Sequence, residues 1–185
     1  VIMGASVWNR RVPYQADITA ALRQAREEAY ADGDYYLREP DPRARQMSEE
    51  EFVALEAAET RAALVAEFGE DGAWEPGDGF ARQAWHAAQI EVTGPDTLLE
   101  SQPFSGTHSI IDMTGVADHP DGGRVAPLPD EDLDHWFGTR QPSAEAVEEA
   151  FDDGLDGFAR WHGAYVIAYD GDRPAWIYFF GWSGD

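Results

Sequence analysis

The sequence predicts an α+β fold: an antiparallel sheet with a C-terminal β-hairpin, packed against several helices. Three observations carry this. Residues 164–169 (AYVIAY) and 175–180 (AWIYFF) are nearly continuous β-branched and aromatic runs that flank DGDRP, the pattern of a hairpin whose faces are both covered. Several upstream segments instead repeat apolar residues at helical spacing behind a capping side chain. No regular β-α-β alternation and no glycine fingerprint for nucleotides interrupts them.

Taken in order, residues 5–12 suit a first strand, closed by Pro13. Asp17 caps a helix that carries Ile18, Leu22, Ala25 and Ala29 on one face and ends near Ala31 before an Asp-Gly-Asp turn. Tyr35-Tyr36-Leu37 reads as a second strand. Two prolines make residues 39–47 a linker. Ser48 and Glu51 form a capping-box pattern that opens a long helix with the stripe Phe52, Leu55, Ala58, Ala62 and Val65, ended by Gly69. Residues 69–79 are a glycine-rich loop, 80–91 a third helix, and 93–96 a break. Residues 107–113 read as a strand, 114–129 as a turn-rich section, and 130–137 as a short helix. Ser143 caps a helix that turns Val147, Phe151, Leu155 and Phe158 inward and Glu145, Glu148, Glu149 and Asp152 outward. The whole, residues 1–185, is expected to form one domain with loop-rich segments near 39–47, 69–79 and 114–129.

Composition narrows the function. Net charge is −23, from 36 acids against 13 bases, and every base is an arginine. Absent lysine and a single asparagine beside abundant Ala, Gly and Arg suggest a GC-rich, bacterial coding sequence. A field of this sign disfavours phosphate backbones and anionic membranes and favours basic partners. Direct nucleic-acid binding is therefore not expected. The chain has no cysteine, so disulfides, thiolate metal sites and thiol nucleophiles are excluded. No segment is long and apolar enough to span a bilayer, and the first residues lack a signal-peptide pattern. Met3 reads as the native start, and the expected location is cytoplasmic.

The segment SGTHSIIDMTGVADH, 105–119, holds the residue types of a hydrolase or metal site. On a strand, His108 and Ser109 point to opposite faces, while His108 and Asp112 share a face but stand about 13 Å apart. That geometry forbids a local triad, and no G-x-S-x-G elbow is present. His119, Asp121, Asp132 and His135 match no zinc spacing, and the Asp-Gly pairs lack an EF-hand pattern. No metal and no cofactor is expected. Residues 130–156 carry ten acids and one base, Arg140. They read either as a solvated face or as a docking face for a basic protein. Trp182, in a glycine-flanked tail, is a candidate for exposure and binding.

The segments VWNRRVPYQ (7–15), GTHSIID (106–112) and IYFFGWSGD (177–185) together resemble an uncharacterised family of actinobacterial proteins. The resemblance implies no activity, cofactor or catalytic residue. It does imply that the three segments meet in space. Two readings of function follow. The first is an acidic cytosolic interaction protein of the immunity, antitoxin or regulator kind, contacting a basic or catalytic protein through Glu145, Glu148, Glu149, Asp152 and Trp182. The alternative is a small-molecule-binding module or hydrolase-type enzyme with a pocket around His108, Ser109 and Asp112. Whether the protein is an enzyme is left open by the residues.

Overall fold

The computed structural model describes residues 6–155 and 159–183. Asp156, Phe158, Met3, and the last two residues of the tail lie outside them. The elements are β1 (Val7–Pro13), α1 (Ile18–Asp32), α2 (Glu49–Phe68), α3 (Gly79–Gln89), α4 (Pro95–Glu100), β2 (Gly115–Val116), β3 (Arg124–Pro127), α5 (Asp130–Phe137), α6 (Ala144–Asp152), β4 (Gly163–Asp170) and β5 (Arg173–Trp182). Short 3-10 turns occupy Pro42–Arg45 and Ile110–Asp112.

The fold is α+β, and among the described residues five strands form one sheet in the order β1-β5-β4-β3-β2. The sheet is mixed rather than antiparallel. β1 and β4 pair antiparallel with β5, whereas β3 pairs parallel with β4 and β2 parallel with β3. β2 and β3 lie in the section expected to be turn-rich. β2 and β3 are too short, and too rich in Gly and Pro, to show a strand period. The chain also passes through α5 and α6 before β4, and a helical crossover of this kind permits parallel pairing. The expected hairpin is present: Asp170 pairs with Arg173 around Gly171, whose φ of 61° supplies the left-handed turn residue.

Each face of the sheet has its own core. On one face Trp8, Val12, Ile177 and Phe179 meet Ala21, Leu22, Ala25 and Ala29 of α1, Leu98 of α4, and Ile110 and Ile111. On the other, Val166, Tyr178 and Phe180 meet Val147 and Ala150 of α6 and Leu128, with α5 contributing Leu133, Trp136 and Phe137. Strand alternation explains the split, since neighbours on β5 point to opposite faces. The alternation also places Trp182 on the face opposite Trp8. Arg26 of α1, itself buried, donates to the Ile111 carbonyl at 3.2 and 3.1 Å and pairs with Asp96 at 2.7 Å, tying α1 to α4 and to the 110–112 turn.

α2, α3 and the Pro42–Arg45 turn pack chiefly on one another around Phe52, Ala44 and Ala88. The capping box at Ser48 and Glu51 forms as the residues predict. The apolar stripe of α2 closes only at its start. Phe52 is buried and Leu55 and Val65 are half-buried, but Ala58 and Ala62 are exposed, because α3 is about half the length of α2. Tyr35-Tyr36-Leu37 forms no strand; Tyr36 N–H instead makes a single bond to the Thr107 carbonyl at 2.7 Å. Pro42 opens a turn within the expected linker, since Asp41 caps it by accepting from Arg43 N–H at 2.8 Å.

The antiparallel half leaves no room at Gly181. A Cβ there would lie 2.5 Å from the His162 carbonyl oxygen and 2.5 Å from Cζ2 of Trp8, so the glycine permits a close approach of ring and backbone. Gly181→Ala is expected to lower stability by about 2–3 kcal/mol in urea denaturation. Gly77→Ala, at a position with open space around it, is expected to change it by less than about 0.5 kcal/mol.

Candidate functional site

Residues 107–113 do not form the expected strand. Gly106 and His108 take left-handed φ values of 63° and 53°, and Ile110–Asp112 is a 3-10 turn capped by Ser109. Local polar bonds win over the sheet ladder here. Thr107 N–H and the Thr107 hydroxyl both donate to Asp112 Oδ1, at 2.6 and 2.8 Å. Thr107 Oγ1 and Ser109 Oγ lie 2.9 Å apart, and Ser109 Oγ accepts from Ile111 N–H at 3.2 Å. A hydroxyl has one proton. With the Thr107 proton on Asp112, the Ser109 proton goes to Thr107. Ile111, Ser109, Thr107 and Asp112 thus form one directed chain of hydrogen bonds.

The expected separation of His108 and Asp112 along a strand is thereby overturned, since the turn folds Asp112 back onto the start of its own segment. Burial is the largest influence on the Asp112 carboxyl. It raises the Asp112 pKa above its ordinary value, opposed by the hydrogen bonds from Thr107 and the Ser109 backbone. The ring of His108 stacks on Tyr36, with centroids 4.9 Å apart, and its Nδ1 lies 3.5 Å from Ser6 Oγ. The ring edge of Trp161 covers Gly106: a Cβ there would sit 2.8 Å from the indole and 2.9 Å from Asp112 Oδ1. Chemically this is a buried carboxyl held by a polar turn. Its serine proton is committed to Thr107 and is not available to a histidine base.

The three segments expected to meet do so. Ser6, just before β1, contacts His108, accepts from Ser183 N–H through its carbonyl at 2.9 Å, and donates its own N–H to Ser183 Oγ at 2.9 Å. Trp182 is not an exposed tail residue. It closes β5 opposite Val7 and is half-buried. Among the described residues, the indole N–H groups of Trp8 and Trp182 and the Oδ2 of Asp112 are buried without a hydrogen-bond partner. The two indoles lie on opposite faces of the sheet, so they do not converge on one ligand.

The acids of α6 face solvent as their spacing predicts. Glu148 is engaged: it accepts from Arg11 and from the Tyr178 hydroxyl, both at 2.7 Å, while the Arg11 guanidinium lies 4.5 Å over the Trp176 ring. Glu145, Glu149 and Asp152 are exposed and take part in no ion pair among the described residues. Just after α5, Arg140 pairs with Asp130 and with Asp134, while Glu131 and Asp132 take part in no ion pair among the described residues. Among the described residues no group of three or more His, Asp and Glu side chains is placed to hold a metal ion. No helix among them is long and apolar enough to cross a membrane.

Two cavities among the described residues lie away from His108, Ser109 and Asp112. One, of about 280 Å³, is lined in part by Pro127, Asp132 and His162. The other, of about 640 Å³, lies between α2, α3, the 38–42 segment and the 101–105 loop. Its lining includes Phe80 and Phe104, which no periodicity marks as partners because they come from separate segments. Comparison with protein-family models, with curated proteins and with solved structures finds no match for this chain.

The raised pKa of Asp112 has a defined sign in stability. Between 3.8, the ordinary value, and the raised value, the native state binds more protons than the unfolded chain. The contribution of Asp112 to stability is therefore fully present below 3.8 and falls as pH rises through that window. Wild type is expected to lose stability relative to Asp112→Asn across the window, measured by urea denaturation at successive pH values. A difference that stays constant with pH would contradict the assignment. The lowered carboxyls of Asp41, Glu51 and Asp78 are common to both proteins and cancel.

Proposed function

We propose that the protein is an acidic interaction protein that binds a basic protein partner through the face formed by α5 and α6, and that it does so in the cytoplasm. The observation that carries this is the row Glu145, Glu149 and Asp152, exposed on α6 with no cation paired to it among the described residues. Like charges three and four apart on a helix cost about 0.2–0.5 kcal/mol per pair. That small cost is relieved when a cationic surface docks. The same field accelerates association with a basic partner and discourages nucleic acid. Glu148 contributes to the field while held in place by Arg11 and Tyr178. Trp182, expected to share in this surface, is half-buried at the end of β5 and is left out of the proposed contact.

The enzyme reading has less support. The hydroxyl of Ser109 and one oxygen of Asp112 are committed to the turn that contains them, and neither of the two cavities described above is lined by them.

The test is crosslinking and co-purification from the host at low and high salt, comparing wild type with Glu145→Gln/Glu149→Gln/Asp152→Asn. A partner retained by wild type at low salt, released by high salt, and associating about tenfold more slowly with the triple variant is the expected result. A partner held equally by the variant would reject this face, and no partner at all would reject the reading.

A further inference from the structure

From the larger cavity we infer a binding site for an organic cation with an apolar body, such as an aromatic amine. This goes beyond the partner-binding reading and does not rest on it, because the helices that carry those acids cover the other face of the sheet. The cavity measures about 640 Å³, within the range of about 300–1,000 Å³ that small organic ligands occupy. It lies where the α2–α3 pair meets the rest of the molecule.

The floor selects an apolar body. Phe52 and Ala87 are buried there beside Ala84. Gln102 is also buried, but its amide is already occupied: Oε1 accepts from Arg38 N–H at 2.9 Å and Nε2 donates to the Arg38 carbonyl at 3.2 Å. This pair of bonds fixes the 38–42 segment as one wall of the cavity and leaves little polar capacity at its base.

The rim selects a positive charge. Phe80, 76% exposed in the first turn of α3, and Phe104, 40% exposed in the loop after α4, lie with ring centroids 5.3 Å apart. Two rings held this open offer π faces and edges to a ligand, and the faces attract cations. Asp41 and Glu56 of the lining share Arg43, at 2.7 and 2.8 Å, and Arg43, which is not itself part of the lining, also serves Glu59 at 2.8 Å. One guanidinium shared by three carboxylates leaves an excess of two negative charges. Arg38 and Glu39, which also line the cavity, offset each other. With the chain at −23 overall, an anionic ligand is opposed at short and long range.

The experiment is calorimetric titration of the intact protein with three probes that share one ring system: tryptamine, tryptophol and indolepropionate. Tryptamine is expected to bind saturably and at least about tenfold more tightly than the alcohol or the anion. Phe80→Ala and Phe104→Ala, both at exposed rings, should each weaken it by about tenfold while circular dichroism stays unchanged. Glu56→Gln should weaken tryptamine several-fold and leave tryptophol unaffected. Failure of tryptamine to bind, equal binding of all three probes, or unaltered tryptamine affinity in the folded Phe80→Ala and Phe104→Ala proteins would each overturn the proposal.

Discussion

The buried carboxyl of Asp112 is the tie on which the centre of this fold depends. It collects the N–H and hydroxyl of Thr107 and so closes residues 107–112 into a turn. Several elements then use that turn as an anchor. Tyr36 N–H reaches the Thr107 carbonyl, Arg26 of α1 reaches the Ile111 carbonyl, and His108 reaches Ser6 beside β1. Ile110 and Ile111 place their side chains in the core shared by α1, α4 and the sheet. A buried carboxyl held in this way costs desolvation, offset by its hydrogen bonds. The raised Asp112 pKa records that burial outweighs them.

Arginine does all the cationic work in this molecule, and its thirteen side chains are spent unevenly. Arg43 serves three carboxylates, Arg10 pairs with Glu28, Asp32 and Asp34, and Arg26 is invested in the interior. A guanidinium can do this because its donors fork toward more than one acceptor. Most of these pairs are at the surface, where each is worth about 0–1 kcal/mol. Their main effect is therefore on the distribution of charge rather than on stability. Even at Arg10 and Arg43 three acids share one guanidinium; along α6, Glu145, Glu149 and Asp152 have no ion-pair partner among the described residues. That unpaired row on one helix is where the proposed partner surface is placed.

The α2–α3 pair packs chiefly on itself and on the Pro42–Arg45 turn. α2 buries Phe52 and Val53 at its start and then runs on with half its length exposed. Beside this pair the amide of Gln102 holds the backbone of Arg38, and a cavity is left there. Rings that would ordinarily fill such a space, Phe80 and Phe104, stand at its rim instead.

Local physics was enough for much of this. The capping residues Asp17, Ser48 and Ser143, the periods of α1 and α6, and the aromatic hairpin at the C-terminus were legible because each depends on neighbours within a few positions. The acidity and the outward face of α6 were legible for the same reason. The strand expected at 107–113 failed because apolar alternation cannot report that Thr107 and Asp112 will bond to each other, nor that His108 will accept a left-handed backbone. The parallel strands failed because two to four residues are too few to show a period. Only the tertiary structure decided where Trp182 points, that Ser6, His108 and Ser183 adjoin, and that Phe80 and Phe104 share the rim of a cavity. Those are contacts between residues distant in the chain, and a one-dimensional pattern carries no term for them.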